Sequence, residues 1–132
     1  MASPFFARIK SDLLQIVRSV PPGAVITYAD LAGHLDISAR QAAYILATLT
    51  PIEAETIPWH RVLASDGTLG ASRKGKRGDA QRERLRREGH GFLGENLLDF
   101  EALCRRVAEL PHGLPPQTRP PDAPPAKRVR GS

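Results

Sequence analysis

The sequence has few of the features on which most enzymes and membrane proteins depend. Only one of its 132 residues is a cysteine, so no disulfide can form within the chain and no multi-cysteine zinc site is possible. No run of about 18 apolar residues occurs, which argues against a transmembrane helix. The N-terminal residues also lack the apolar stretch of a signal peptide. We therefore expect a cytoplasmic protein (nucleoid-associated if bacterial) with one small domain.

Signatures of catalysis are missing as well. The sequence contains no G-x-S-x-G, no H-E-x-x-H and no phosphate-binding P-loop motif. Its histidines, His34, His60, His90 and His112, do not have the spacing of metal ligands. Cys104 lies in a stretch with helical apolar spacing, which favours a buried structural thiol. The residues alone thus predict a binding protein that uses no metal and no cofactor.

Positive charge is concentrated in two segments. The net charge of the chain is +5, with +6 over residues 61–87 and +3 over residues 111–132. A basic block favours a polyanionic partner, nucleic acid first, although a solvated basic loop and helix would have the same composition. Seven of the 12 prolines fall in 111–125. We therefore predict a folded domain over 1–110 and a disordered, Pro-rich basic tail over 111–132.

Apolar spacing predicts a mainly α, winged-helix-like fold. The predicted helices cover residues 5–20, 28–33, 38–49, 80–89 and 96–110, with a loop over 51–58. The second and third of these helices suit a helix-turn-helix, with Arg40 and Tyr44 on the outer face of the third. Any helical hairpin in a small domain would give the same pattern, so the spacing does not establish DNA binding.

The lone tryptophan, Trp59, lies between Pro58 and the pair His60-Arg61. A tryptophan in such a place is more often part of a core than of a binding site. A tryptophan beside arginines and a basic loop is, however, also suited to holding an unstacked base. Both interpretations stay open at this point.

The segment Ile57-Pro58-Trp59-His60-Arg61-Val62 resembles the Ile-Pro-Cys-His-Arg-Val motif of O6-alkylguanine-DNA alkyltransferases, with Trp59 in place of the cysteine. Flanking segments resemble the same family in order and spacing: Val25–Ala32, Ser38–Arg40, Asp66–Gly70 and Leu85–Gly89. The tryptophan form is typical of the alkyltransferase-like proteins, the non-enzymatic relatives. The resemblance covers residues 4–92.

The resemblance implies a DNA-binding domain of the alkyltransferase C-terminal type and a non-enzymatic sensor of DNA damage. Such a protein binds O6-alkylguanine in duplex DNA, flips the base into a pocket and holds it without repair. Its partners are double-stranded DNA carrying alkylated guanine and the proteins of nucleotide excision repair. We further expect a monomer that does not bind membranes.

Pattern and resemblance together assign the site residues. Arg40 is expected to enter the base stack and Tyr28 to crowd the phosphate of the flipped nucleotide. Arg73 is expected to meet the modified base, unless the alignment is shifted by one residue. The DNA-binding residues are Tyr28, Ser38, Ala39, Arg40, Tyr44, Arg73, Lys74 and Lys76; the lesion pocket is formed by Trp59, Tyr28 and Arg73; and Pro58, His60, Arg61 and Glu88 are structural. Lys74, Lys76, Arg77 and Arg82 are expected to face mostly phosphates.

Two departures from the family pattern accompany the tryptophan. Thr50-Pro51 stands where the enzymes have Asn-Pro, and the loop after Gly70 lacks their Tyr-Ser-Gly-Gly type of sequence. Three alternatives remain. The chain could be a sequence-specific or general DNA-binding regulator, an enzyme that uses Cys104 or the Glu88–His60 pair, or a protein that blocks repair instead of signalling for it.

Overall fold

The computed structural model describes residues 4–69 and 75–117 of the chain. Most of the described backbone is helical, and each strand in it is two residues long. The helices are α1 (Pro4–Arg18), α2 (Tyr28–Leu35), α3 (Ala39–Ala47), α4 (Pro51–Thr56), α5 (Gly75–Arg87) and α6 (Phe100–Leu103). The strands are β1 (Ile26–Thr27), β2 (Val62–Leu63), β3 (Phe92–Leu93) and β4 (Asn96–Leu97), and 3-10 turns lie at Trp59–Arg61 and Val107–Glu109. The predicted mainly α fold class is confirmed.

The first helix is amphipathic, as its sequence predicts. Apolar residues at spacings of three and four place Leu13, Ile16 and Val17 entirely out of solvent. The helix ends at Arg18, and two prolines then lead to Gly23, whose φ is +89°. Glycine adopts this conformation without strain, so the chain can turn back along α1.

Helices α2 and α3 form the predicted helix-turn-helix. The hydroxyl of Thr27 caps α2 by accepting a hydrogen bond from the N–H of Asp30 at 3.1 Å. Asp36 ends that helix with a φ of +57°. Ser38 starts α3 with a capping box, because its hydroxyl accepts from the N–H of Gln41 while the Gln41 side chain accepts from the N–H of Ser38. The two helices pack on each other, which leaves the outer face of α3 in solvent.

A short parallel ladder places the Trp59–Arg61 turn beside the helix-turn-helix. Ile26 of β1 is opposite Val62 of β2, and Thr27 is opposite Leu63. Strand β1 leads directly into α2, and β2 directly follows the turn. The start of α2 and the turn are therefore neighbours in space, although about thirty residues of chain separate them.

The loop predicted over residues 51–58 is wrong, because α4 occupies most of it. The hydroxyl of Thr50 accepts from the N–H of Glu53 at 3.1 Å, and the Glu53 carboxylate accepts from the N–H of Thr50 at 2.9 Å. Pro51 takes the first helical position, where its missing N–H leaves no bond unmade. The pattern Thr-Pro-x-Glu is thus a signal for the start of a helix. It decides the local structure even though the two prolines of the segment suggest a loop.

The helix predicted over residues 96–110 is also wrong. Its first two residues form strand β4, which pairs antiparallel with β3, and α6 is only one turn long. The N–H of Val25 donates to the carbonyl of Leu103 at 3.1 Å, and the N–H of Arg105 donates to the carbonyl of Val25 at 2.8 Å. These pairings are incompatible with a continuous helix, so tertiary contacts outweigh the helical spacing of the apolar residues.

Residues 111–117, the first part of the predicted tail, pack on α1 and α2. The Gln15 amide donates to the carbonyl of His112 at 2.6 Å, and Nε2 of His34 lies 2.8 Å from the carbonyl oxygen of Leu114. The N–H of Gln117 donates to the carbonyl of His34 at 2.7 Å. The folded part therefore extends beyond the boundary predicted from composition. The remainder of the predicted tail lies outside the described residues.

Candidate nucleic-acid interface

The exposed face of α3 carries two of the side chains predicted to meet DNA. Arg40 and Tyr44 lie one turn apart and are both exposed, with 60% of the tyrosine surface accessible. On the opposite face Ala42 and Leu46 are fully buried. The buried face anchors the helix, so the outer face can approach a duplex as a rigid unit.

The N-terminal end of α3 is formed by Ser38 and Ala39. The Ser38 hydroxyl is engaged in the capping box with Gln41, so its first role is to start the helix. Ala39 is exposed and small, which allows a partner to come close to the helix end. The arrangement presents Arg40 at the leading end of the helix.

Tyr28 is the first residue of α2 and is half-buried. Burial raises the pKa of its phenol, and the nearby positive charge of Arg77 opposes part of that effect. The phenol is therefore neutral at pH 7 and can donate a hydrogen bond.

Trp59 is the first residue of the 3-10 turn that follows Pro58, and only 4% of its surface is exposed. Its indole N–H donates to the carbonyl of Ala54 at 3.1 Å. The His60 ring meets it edge-on, with ring centroids 6.4 Å apart. Pro58 accepts a backbone hydrogen bond from Arg61 at 3.1 Å, which closes the turn. The tryptophan thus has a fixed orientation and belongs to the core cluster.

Two guanidinium groups from α5 lie over the Trp59 ring. The Cζ atom of Arg77 is 4.1 Å from the ring centroid, and that of Arg84 is 5.3 Å from it. Arg77 also donates to the carbonyl of Leu46 at 2.7 Å, and Arg84 donates to the carbonyl of Ala54 at 3.1 Å. In the absence of DNA, Arg77 thus faces the Trp59 ring and a backbone carbonyl, and its contact with phosphate stays a prediction.

Sequence reasoning did not place these two arginines at the tryptophan. The signal that could have found them is their spacing of seven residues, which puts both on one face of a helix. Arg73 and Lys74, the predicted lesion and DNA contacts, lie outside the described residues. Lys76 lies in α5, but its side chain is outside the described part of the structure. These three assignments stay predictions.

The structural residues of the motif converge on Glu88. Oε2 of Glu88 lies 2.8 Å from Nε2 of His60, and Nε of Arg61 donates to the same oxygen at 3.0 Å. Arg61 also donates to the carbonyl of Val20 at 2.8 Å. The three side chains therefore join the turn, the end of α1 and the end of α5.

The charge on this group is set mainly by Arg61. Burial by itself raises the pKa of Glu88, but hydrogen bonds from Arg61 and His60 outweigh it and lower the pKa to about 2. Burial lowers the pKa of His60, although contact with Glu88 opposes the change. The imidazole is therefore neutral at pH 7, and a carboxylate and a guanidinium form the ion pair.

His60 has one buried ring nitrogen, Nδ1, with no hydrogen-bond partner among the described residues. Its backbone carbonyl accepts from the side-chain amide of Gln81 at 3.2 Å, and the same amide donates to the carbonyl of Val62 at 3.0 Å. Gln81 is fully buried and so fixes the backbone on both sides of Arg61. The turn is held by side chains of α5 along most of its length.

Cys104, the only thiol, lies just after α6 and is half-buried. Burial raises the pKa of its thiol, the charge of Asp30 raises it further, and Arg105 opposes both. The thiol is protonated at neutral pH, which is unfavourable for a nucleophile. Over 4–69 and 75–117, no helix is long and apolar enough to cross a membrane, and no group of three or more His, Cys, Asp or Glu could hold a metal ion.

Residues 8–90 match the family described as "6-O-methylguanine DNA methyltransferase, DNA binding domain". The chain is 37% identical over 89 residues to the "DNA base-flipping protein" of Escherichia coli strain K12, which covers 66% of this chain and 66% of that protein. It is 36% identical over 88 residues to "Alkyltransferase-like protein 1" of Schizosaccharomyces pombe, covering 64% of this chain and 79% of the relative. The chain thus spans about two thirds of the length of its bacterial relative.

The fold is similar to that of a solved relative. The crystal structure of S. pombe Atl1 in complex with damaged DNA containing O6-carboxymethylguanine superimposes with a TM-score of 0.64 at 26% identity. The match covers 80% of this chain and 98% of that one. The resemblance inferred from the Trp59 motif is confirmed, together with the fold that it implies. The chain belongs to the family of the 6-O-methylguanine DNA methyltransferase DNA-binding domain.

Proposed function

We propose that this protein is a non-enzymatic sensor of O6-alkylguanine in duplex DNA. It flips the modified base toward Trp59, holds it without removing the alkyl group, and flags the site for nucleotide excision repair. It acts as a monomer in the cytoplasm and, if its source is bacterial, in association with the nucleoid. The names of the two relatives, a DNA base-flipping protein and an alkyltransferase-like protein, support this proposal.

The observation that carries the proposal is the buried indole of Trp59 at the position of the enzymes' cysteine. An indole has no ionisable group that could become a nucleophile near pH 7, so alkyl transfer by thiolate attack is chemically excluded there. His60 and Glu88 are still paired at 2.8 Å. With no thiol beside them, we assign this pair to holding the turn and not to moving a proton.

The DNA side of the proposal rests on α3. Arg40 is exposed at the leading end of a helix whose other face is buried, so it can enter the space that a flipped base leaves. A planar guanidinium can stack on neighbouring bases and bond to the orphaned one. Tyr28 begins the adjacent helix and interacts electrostatically with Arg77, the residue whose guanidinium lies over Trp59. The closeness of Arg40 on α3 and Tyr28 on α2 supports the proposal that one residue intercalates while the other borders the flipped nucleotide.

Binding to two matched duplexes at one salt concentration tests the proposal. One duplex contains guanine and the other O6-methylguanine at the same position, and the DNA is recovered afterwards to count its remaining alkyl groups. We expect tighter binding to the lesion with every alkyl group still on the DNA and no mass gain on the protein. A permanent mass gain would show an enzyme instead.

Equal binding to both duplexes would overturn the proposal in favour of a general DNA-binding protein. A preference for one undamaged sequence would favour a transcription regulator that uses the same helix-turn-helix. Recruitment is tested separately, by adding excision-repair proteins to the preformed lesion complex and measuring incision. Light scattering of the free protein tests whether it is a monomer.

A further inference from the structure

Two positively charged groups lie over the ring of Trp59. Arg77 and Arg84 lie two turns apart on one face of α5, at 4.1 Å and 5.3 Å from the same ring. The indole is 4% exposed and both arginines are half-buried, so both guanidinium groups lie at a partly desolvated position. Burial lowers the pKa of Arg77, the Tyr28 phenol opposes part of that change, and the like charge of Arg84 lowers the pKa further.

Neither guanidinium has an acidic partner in the described part of the chain. Other arginines near the site do: Arg61 pairs with Glu88, and Arg87 pairs with Glu83 at 3.2 Å. Within 4–69 and 75–117, no carboxylate oxygen lies within 4.0 Å of the side-chain nitrogens of Arg77 or Arg84. Their hydrogen bonds go to the backbone carbonyls of Leu46 and Ala54, which are neutral.

The two guanidinium groups therefore lack a counter-ion within the described part of the chain. An arginine keeps its charge even when burial lowers its pKa, because its intrinsic pKa is far above neutrality. Two like charges near one ring repel each other, and a partly desolvated cation without a counter-ion is destabilising. An anion between them would relieve both effects and accept charge-assisted hydrogen bonds.

We propose that the guanidinium groups of Arg77 and Arg84 beside Trp59 select O6-adducts that carry a negative charge over neutral adducts of the same size. This inference rests on the proposed function, because it requires a flipped guanine to bring its O6 substituent to Trp59. Each guanidinium has five N–H donors, and one backbone carbonyl takes one of them in each case. A terminal carboxylate on the adduct is an acceptor with suitable geometry for both groups.

A DNA phosphate is the other anion that these arginines could bind. The two sources differ in what they predict. A phosphate is present in every duplex, so phosphate binding would make Arg77 contribute equally to all of them. If the arginines bind the adduct, the contribution of Arg77 to affinity depends only on the charge of the O6 substituent. We favour the adduct because both guanidinium groups lie over a nearly buried ring, whereas backbone phosphates are met at exposed surfaces.

Four duplexes that differ only at one base test the inference with the full chain. They contain O6-carboxymethylguanine, its neutral isostere O6-carbamoylmethylguanine, O6-methylguanine and guanine. We expect the carboxymethyl duplex to bind about tenfold more tightly than the carbamoylmethyl duplex, the ratio expected from gaining one hydrogen bond to a charged group. Both should bind more tightly than guanine.

Variants of Arg77 and Arg84 test whether these two residues cause the preference for the charged adduct. Arg77→Gln and Arg84→Gln should each lower the carboxymethyl-to-carbamoylmethyl ratio to about threefold or less, and the double variant should abolish it. Arg86→Gln is the matched control, because Arg86 is exposed on the same helix and loses the same charge. Arg77→Lys keeps the charge and should keep most of the carboxymethyl-to-carbamoylmethyl affinity ratio. It therefore tests the inference even if a glutamine variant fails to fold.

The outcomes separate the two proposals. If the two isosteric adducts bind equally but more tightly than guanine, the charge preference is overturned and the damage sensor stands. If Arg77→Gln weakens every duplex equally, the arginine binds phosphate and the inference fails. If the ratio survives in the double variant, other residues are responsible and the assignment is wrong. If no adduct binds more tightly than guanine, the proposed function fails and this inference fails with it.

Discussion

Nε2 of His60 and Oε2 of Glu88 lie 2.8 Å apart, although 28 residues separate them in the chain. Arg61 completes the contact by donating to the same carboxylate, which also lies 3.4 Å from the N–H of Gly23. One carboxylate thus joins the Trp59–Arg61 turn, the loop after α1 and the end of α5. The orientation of Trp59 depends on this junction, because Trp59 begins the turn.

Stability should therefore fall as the pH is lowered toward 2. The pKa of Glu88 is about 2 in the folded protein, and an ordinary glutamate in the unfolded chain titrates near 4.5. The unfolded state binds the proton first, so the stabilisation is complete above about pH 5 and is lost progressively below it. Because the side chain is 15% exposed, we expect about 2–3 kcal/mol from this group. Chemical denaturation at pH 7, 5 and 3 measures it.

Protonation of His60 should also lower the stability of the fold, and should do so at a higher pH than protonation of Glu88. Burial holds its folded pKa below the usual 6.5 despite the contact with Glu88, so the unfolded state again binds the proton first. Stability should begin to fall below about pH 6.5.

The Glu88 prediction has a matched pair of variants. In Glu88→Gln the plot of unfolding free energy against pH should flatten between pH 5 and 2, whereas the exposed control Glu83→Gln should follow the parent. Parallel curves for the parent and Glu88→Gln would contradict the assignment.

The sequence predicted the helix-turn-helix well because its signals are local. Ser38 and Thr27 cap their helices through residues three positions away, and the apolar spacing of α3 is contained within nine residues. The buried and exposed faces of α3 follow directly from that spacing. Arg40 and Tyr44 could be placed on the outer face from the sequence alone.

The failures arose where distant residues decide the structure. The leucines of 96–110 have helical spacing, but Val25 pairs with the backbone at Leu103 and Arg105 and prevents a helix. Arg77 belongs by sequence to a basic loop and helix. Its position over Trp59 depends on how α5 packs on a turn that ends fourteen residues earlier, which neither composition nor periodicity can supply.

His112 should be required for the stability of the whole domain. Its Nε2 lies 2.8 Å from the carbonyl oxygen of Val107, and its Nδ1 accepts from the N–H of Leu114 at 2.9 Å. Its ring also contacts His34 edge-on at 5.0 Å. We expect His112→Ala to cost about 2–3 kcal/mol of unfolding free energy, because it removes buried hydrogen bonds and a packed ring. Urea denaturation measures the loss.

The exposed neighbour Glu109 is the control for that variant. Glu109→Ala should change the unfolding free energy by less than about 0.5 kcal/mol. If His112→Ala were equally mild, the segment after residue 110 would not be part of the cooperative unit, and the boundary predicted from composition would be restored.

Trp59 should report base binding through its own fluorescence, because it is the only tryptophan in the chain. A base brought against the indole changes its surroundings and should quench its emission. We expect quenching when a duplex with O6-methylguanine is added, and little change with an undamaged duplex at a concentration that gives the same occupancy. Equal quenching by both duplexes would mean that the signal comes from the general DNA contact and not from a base at Trp59.

Arg40→Ala should weaken binding to lesion DNA by about 1–3 kcal/mol, the range for losing one stacking or bidentate contact. The guanidinium is exposed in the free protein, so the melting temperature should stay unchanged within about 1 °C. Binding to undamaged DNA should fall less, because there the base stack stays closed and the arginine offers only its charge. Fluorescence anisotropy with the two matched duplexes measures both losses.

Arg8→Ala is the control for the loss of one positive charge. Arg8 is a solvent-exposed arginine on α1, with 72% of its side-chain surface accessible. Removing either arginine lowers the net charge by one, so both variants should show the same small change in nonspecific affinity and salt dependence. Only Arg40→Ala should lose the preference for the lesion. If both variants weakened the two duplexes to the same extent, Arg40 would act as one more surface charge. The intercalating role would then have to pass to another residue on the outer face of α3, with Tyr44 the next to test.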